Sequence, residues 1–284
     1  MRADRIPPTL LVLVAVSSVQ FGAALAKTIF DEAGPAGTVF LRVLFAAIVL
    51  MAIWRPALRG RTRADWRLIV LFGLSLGGMN LAYYEALERI PLAITVTIEF
   101  VGPLGVAIAG SRRPLDLAWV LLAAGGILLL SDFGSADLDA LGVALALVAG
   151  GFWAAYILLS ARVGRAFPGG SGLALAMVAA AAMLVPVGVA DAGGELLAPG
   201  VLAVAIAVAI LSSAIPYTLE MEALRRMPAG VFGVMMSIEP AVAALAGFIV
   251  LDEGLASREL VAILLVVAAS AGAARNAHVP PRDA

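Results

Sequence analysis

The sequence predicts an all-α polytopic membrane protein of ten transmembrane helices, laid out as two inverted five-helix repeats. Three observations carry this. The chain divides into ten apolar windows with short breaks between them. Its loop arginines fall almost entirely on one side when successive loops are alternated. One stretch of the first half recurs in the second at an offset of 137 residues.

Of 284 residues, 62% are hydrophobic and 14% charged, and the mean hydropathy is +1.03. Soluble domains run nearer half apolar and about a quarter charged. A water-soluble globule of this size has no room to hide so much apolar surface, so a bilayer must solvate it. A helix needs about 20 apolar residues to cross about 30 Å of hydrocarbon. Windows of that kind fall near 9–30, 36–54, 67–87, 91–110, 115–132, 139–160, 171–190, 199–219, 228–250 and 258–275. The breaks carry turn residues, among them Gly34-Pro35, Ile90-Pro91, Gly169-Gly170 and Met227-Pro228. Pro35, Pro91 and Pro228 stand where a first helical turn accepts proline. The basic start (Arg2, Arg5) runs into the first window without a prompt small-residue cleavage pattern, so it reads as a retained span.

With the N-terminus inside, fifteen arginines fall on the inner side, at Arg2, Arg5, Arg55, Arg59, Arg61, Arg63, Arg67, Arg112, Arg113, Arg162, Arg165, Arg225, Arg226, Arg275 and Arg282. Only Arg89 and Arg258 fall outside, where acids gather instead: Asp31, Glu32, Asp132, Asp137, Asp139, Asp191 and Glu195. Basic residues mark cytoplasmic loops, so both termini are expected in the cytoplasm. Trp54, Trp66 and Trp119 read as anchors at the inner interface, and pairs such as Gly77-Gly78, Gly125-Gly126 and Gly150-Gly151 as sites of close helix packing.

The repeat aligns Glu85-Ala86-Leu87 with Glu222-Ala223-Leu224, Arg89 with Arg226, Pro91 with Pro228, Pro103 with Pro240 and Gly110 with Gly247. Five spans per half is an odd number, so the second copy enters the membrane upside down. Inverted repeats are a common construction of secondary transporters. The expected units are residues 1–137, residues 138–276 and a cytoplasmic tail at 277–284.

Ionisable and amide side chains inside the windows are few: Gln20, Lys27, Arg42, Asn80, Glu85, Glu99, Glu220 and Glu239. A charge at the bilayer centre costs about 2.5–3.5 kcal/mol on insertion scales, and such residues face the bundle interior or a wet cavity. At 1.5 Å per residue, Glu99 lies about 12 Å deep and Glu239 about 16 Å deep. Pro103 follows Glu99 by four residues, and Pro240 follows Glu239 directly. Proline frees a backbone carbonyl and kinks the helix. A carboxyl beside a freed carbonyl is a candidate cradle for an ammonium group, and a candidate proton carrier. The structural alternative is a protonated glutamate hydrogen-bonded to a neighbouring helix.

Lys27 and Arg42 sit in the outer thirds of their spans. Either could hold a substrate carboxylate, snorkel to the headgroups, or pair with Asp31 and Glu32; for Arg42 the structural reading is preferred. Glu220 and Glu222, beside Arg225 and Arg226, read as solvated ion pairs. Tyr83, Tyr84, Trp153, Tyr156 and Tyr217 form an aromatic group; Trp153 and Tyr156 stand one turn apart at mid-depth, deeper than an interfacial belt. The candidate substrate- or proton-binding set is Glu99, Glu239, Gln20, Lys27, Asn80, Tyr84, Trp153, Tyr156 and Tyr217.

Several chemistries are excluded. The chain has no cysteine, hence no disulfide, thiol nucleophile or cysteine-ligated metal. Its single histidine, His278, lies in the polar tail. There is no Walker A pattern, no HExxH, no GxSxG and no potassium-filter sequence. No catalytic residue, metal or cofactor is expected.

The segments GAALAK (Gly22 to Lys27), SLGGMN (Ser75 to Asn80), IEFVGPL (Ile98 to Leu104), SRRP (Ser111 to Pro114), ILSSAIPYTLEMEAL (Ile210 to Leu224) and MSIEPAVAA (Met236 to Ala244) resemble the drug/metabolite transporter superfamily, EamA-type, over nearly the whole chain. More narrowly they resemble its threonine/homoserine exporter branch. Phe21 departs from that pattern, where a small residue is expected before Gly22. The resemblance implies a multi-pass protein of the bacterial inner membrane that exports small neutral amino acids by proton exchange. Its implied partners are the substrate, protons and the lipid bilayer, with a homodimer left open and no nucleic acid. Export of another metabolite or drug is the alternative within the superfamily; a membrane enzyme or scaffold is the alternative outside it.

Overall fold

The computed structural model describes residues 6–109, 114–130, 139–224, 226 and 235–276. The tail with His278, together with Arg2, Arg5, Arg112, Arg113, Asp132, Asp137, Arg225, Pro228 and Arg282, lies outside them. Regular structure among the described residues is helical: α1 (Pro8–Lys27), α2 (Phe30–Trp54), α3 (Arg63–Arg89), α4 (Leu92–Glu99), α5 (Val101–Ala109), α6 (Pro114–Leu130), α7 (Ala140–Ala166), α8 (Ser171–Ala192), α9 (Pro199–Ala209), α10 (Ile215–Leu224), α11 (Glu239–Leu251) and α12 (Ser257–Asn276). A 3₁₀ turn, Gly193–Leu197, follows α8, and a π turn, Ile210–Ala214, joins α9 to α10.

Six helical runs among the described residues are long and apolar enough to cross a membrane: Pro8–Lys27, Phe30–Trp54, Arg63–Arg89, Ala140–Ala166, Ser171–Leu197 and Pro199–Glu220. Leu92–Val106 and Glu239–Leu251 are shorter apolar helices. Large apolar side chains such as Leu121, Phe248 and Leu264 are more than 60% exposed on the outer surface, which lipid rather than water can cover. The chain is an all-helical polytopic membrane protein.

Local sequence explains the helix ends. Thr62 and Asp65 form a reciprocal capping box that starts α3. Asp139 starts α7 by accepting from the N–H groups of Leu141 at 2.7 Å and Gly142 at 3.2 Å. The first expected break moves: α1 ends at Lys27 and α2 begins at Phe30, while Gly34 is a kink inside α2 with φ of 65°. Only glycine adopts that conformation without strain. The restarted helix leaves its first N–H groups without partners. Asp191 supplies the acceptor, 3.0 Å from Ala36 N and 3.2 Å from Gly37 N.

The helices pack chiefly across the two halves of the chain. α2 lies on α8 and α9, α3 on α7 and α8, α6 on α12, and α1 on α10 and α11; α4 touches α7 and α11, and α5 touches α7. Small residues allow these approaches. A Cβ on Gly73 would lie 2.6 Å from Ala179 Cβ, and one on Gly78 would lie 2.7 Å from Phe152. A Cβ on Gly150 would lie 2.6 Å from the Glu99 carbonyl oxygen, and one on Gly102 would strike the Gly150 backbone. Gly125 and Gly151 face open space instead, so only one glycine in each of those two pairs, Gly126 and Gly150, is needed for packing. Trp54 covers the Gly169-Gly170 turn, and Trp119 packs on Gly272.

Candidate functional site

Two prolines shape the polar interior. Pro103 has no N–H, so the Glu99 carbonyl loses its donor four residues on; the helix is interrupted there, between α4 and α5. Pro216 does the same to Ser212. The backbone widens into the π turn just ahead of Pro216, and the Ser212 carbonyl is left open. Arg42 of α2 takes it: Nη2 donates to Ser212 O at 3.0 Å, Nη1 to the Tyr84 hydroxyl at 3.1 Å and Nε to Ser213 Oγ at 3.3 Å. The guanidinium lies 5.4 Å from the centre of the Tyr84 ring. Ser18 Oγ of α1 donates to the adjacent Leu211 carbonyl at 2.6 Å.

Three carboxyl groups belong to the same interior, and one of them, Glu99, is within electrostatic reach of this arginine. Glu99, the last residue of α4, is 7% exposed, and Glu239, the first of α11, is 5% exposed. Glu220 of α10 is half-buried. None of the three makes a hydrogen bond or ion pair with another described residue. They nonetheless share one electrostatic neighbourhood. Glu239 feels the charges of Glu220 and Glu99, and Glu99 that of Arg42. Tyr217 lies within reach of Arg42, Glu220, Glu99 and Tyr84. Tyr83 is reached by Glu99, Tyr84, Arg42 and Glu239, and Tyr156 by Tyr217 and Glu220. Among the described residues no group of acids or histidines is placed to hold a metal ion.

The sequence-derived candidates divide in this frame. Glu99, Glu239, Tyr84, Tyr156 and Tyr217 meet in the cluster. Tyr156 also stacks on Phe72, with ring centres 5.2 Å apart, and Trp153 packs edge-on to Phe100 at 5.2 Å, beside the α4–α5 interruption. Gln20 is buried with its Oε1 unpartnered. Asn80 donates to the Leu76 carbonyl of its own helix at 2.8 Å. Lys27 is elsewhere, paired with Glu253 at 2.7 Å. The other carboxylate oxygen of Glu253 accepts from Leu92 N at 2.9 Å, capping α4.

Three expectations change. Arg42 neither snorkels nor pairs with Asp31 or Glu32: it is 5% exposed and central. Glu220 and Glu222 part ways, because Glu222 pairs with Arg226 whereas Glu220 turns to Tyr217 and Glu239. Lys27 finds a carboxylate on the α11–α12 loop, too distant in sequence to be guessed. Ser212 and Ser213 went unassigned, although Pro216, four residues after Ser212, was the available signal.

Buried acids, tyrosines and one arginine gathered from six helices and a π turn form a site that can meet both signs of charge away from water. The sequence matches the EamA-like transporter family over residues 7–131 and again over 140–275. The chain belongs to that family. It is 43% identical over 278 residues to the threonine/homoserine exporter RhtA of Salmonella typhimurium (strain LT2), covering 97% of this chain and 94% of that one. It is 44% identical over 268 residues to the exporter of the same name from Escherichia coli K12, covering 93% and 90%. These relatives bear out the branch resemblance read from the sequence. A solved crystal structure, 21% identical and covering 95% of this chain and 99% of that one, shares the fold with a TM-score of 0.66. The EamA-like protein is thus a transporter and not an enzyme, a multi-pass protein of a bacterial inner membrane.

Proposed function

We propose that this chain exports small neutral amino acids of the threonine and homoserine type across the inner membrane, in exchange for protons and by alternating access. The observation that supports the reading is the interior cluster in which Arg42 acts on Glu99, and Glu99 and Glu220 act on Glu239. A zwitterion needs both signs of charge, and a proton exchanger needs a carboxyl that water does not reach. The names of the relatives supply the substrate. Glu99 and Glu239 are the leading candidates for ammonium or proton binding. Tyr84, Tyr156, Tyr217 and Trp153 line the site with Gln20 and Asn80, while Lys27 acts as an outer tie.

The proposal includes ten spans in two inverted repeats with both termini cytoplasmic. Three observations support it. The family matches twice, once in each half. The arginines divide fifteen to two between alternate loops. The main helix pairings between the halves also map onto one another under exchange of the halves. Count α4–α5 as one span and α9–α10 as one, and replace every span by the one five places on: α3 on α7 becomes α10 on α1, α3 on α8 becomes α9 on α2, and α1 on α11 becomes α7 on α4–α5. The pairs α2–α8, α4–α11 and α6–α12 map onto themselves. Related folds of opposite orientation can exchange conformations, which opens a central site first to one face and then to the other.

The test is efflux of labelled threonine from vesicles, with and without a pH gradient. The wild type is expected to show gradient-dependent efflux, and Glu99→Gln and Glu239→Gln to lose that dependence. No threonine efflux by the wild type would sink the substrate assignment. Normal gradient-dependent rates in both variants would sink the carboxyl roles.

A further inference from the structure

We propose that Arg42 and the π-turn serine Ser212 form the carboxylate-binding half of the substrate site, an inference that rests on the amino-acid export reading above. A buried arginine ordinarily has a carboxylate partner, because an uncompensated charge in a low-dielectric interior is costly. Arg42 has no paired one: Glu99 lies within electrostatic reach, but among the described residues the guanidinium donates only to one carbonyl and two hydroxyls, all neutral. A guanidinium carries five N–H donors in a planar fork suited to the two oxygens of a carboxylate. Three of the five are used here, each on a group that can exchange it for a stronger acceptor.

The neighbouring polar atoms point the same way. Ser212 is 1% exposed, and its hydroxyl has no hydrogen-bond partner among the described residues. Gly22 of α1 leaves the room that this hydroxyl occupies, since a Cβ there would collide with Ser212 Oγ. A buried hydroxyl without a partner costs free energy unless something else receives its proton. Its own carbonyl is the one Arg42 holds, so hydroxyl and guanidinium belong to one short stretch of wall. A substrate carboxylate seated there would draw Nη2 from the Ser212 carbonyl and accept the Ser212 O–H. The acids of the cluster then remain for the ammonium group or the proton.

The experiment uses the full-length protein in proteoliposomes and compares labelled threonine with threoninol, its counterpart bearing a hydroxymethyl group in place of the carboxylate. Wild-type threonine export tests the proposed function; its absence would overturn that reading and this inference with it. The preference for threonine over threoninol tests Arg42. We expect Arg42→Gln to weaken threonine handling about 10–100-fold, the range for losing a hydrogen bond to a charged group, and to leave threoninol handling little changed, so that the preference collapses. Arg42→Lys retains the charge but not the fork, and Ser212→Ala removes only the hydroxyl. Each is expected to raise the KM for threonine severalfold without moving that for threoninol, so the test stands even if Arg42→Gln fails to fold. Variants that keep the wild-type preference, or that weaken both compounds equally, would overturn the assignment and leave Arg42 as a structural tie or a counter-charge to Glu99.

Discussion

Lys27 and Arg42 are both cations set into the apolar reach of the first two helices, and they are resolved in opposite ways. Lys27 is half-buried, and its ammonium meets Glu253, which also caps α4. Its charge is neutralised and its partner has a second structural duty. Arg42 is more deeply buried and has only neutral partners. A buried charge that the fold neutralises is explained by the fold. One that the fold leaves without a paired carboxylate, with Glu99 in reach but not bonded to it, calls for an explanation outside the fold, and a transported molecule can supply the partner.

The sharpest way to break this contrast is to replace each cation by methionine. Arg42→Met is expected to abolish threonine export, whereas Lys27→Met is expected to keep export within about twofold and to cost about 1 kcal/mol or less in a detergent melt, as for partly exposed ion pairs. Equal effects of the two changes on transport would remove the distinction. Tyr84→Phe comes next. It leaves Nη1 of Arg42 without an acceptor, a loss of about 1–3 kcal/mol for an unsatisfied buried group, read as a lower melting temperature. Glu253 sharpens the Lys27 side: Glu253→Gln removes the ion pair but keeps a carbonyl for Leu92 N, so Glu253→Ala should destabilise more.

The smallest effect belongs to an exposed helix cap. Accepted N–H groups from Gly142 and then Leu141 lower the Asp139 carboxyl below its usual range, and Arg89 adds to this. A lowered carboxyl stabilises the fold above its unfolded pKa, and that contribution fades as the pH falls through the folded one. Protection of the Leu141 and Gly142 amides, measured against their intrinsic exchange at each pH, should therefore fall on acidification, and Asp139→Asn should flatten the dependence.

Much of this was legible in the chain. Apolar windows and proline positions marked the helices, and depth along a helix singled out Glu99 and Glu239 as interior acids. Position in a span could not say which face a side chain takes. Arg42 therefore reads as a headgroup contact or a partner of Asp31 and Glu32, although the fold turns it onto Tyr84 and the π turn. Glu220 was assigned to nearby arginines, yet it stands three residues after Tyr217, one helical turn along the same face, and follows that tyrosine inward. Pro216 marks the Ser212 carbonyl as lacking its helical donor in the same way that Pro103 marks that of Glu99. No local pattern linked Lys27 to Glu253, because that pair closes over 226 residues of chain.

The close approach of Gly150 to the Glu99 carbonyl and of Gly102 to Gly150 has a mechanical consequence. Main chain rests on main chain there, with no side chain between to swing aside. The α4–α5 interruption and α7 must then travel as one piece, like a door leaf fixed to its stile. By contrast, α2 meets the π turn through hydrogen bonds that can be traded one at a time. In the proposed transport cycle the seam that parts to admit cargo is then the one lined by Arg42, so that unlatching it and seating the cargo would be the same event.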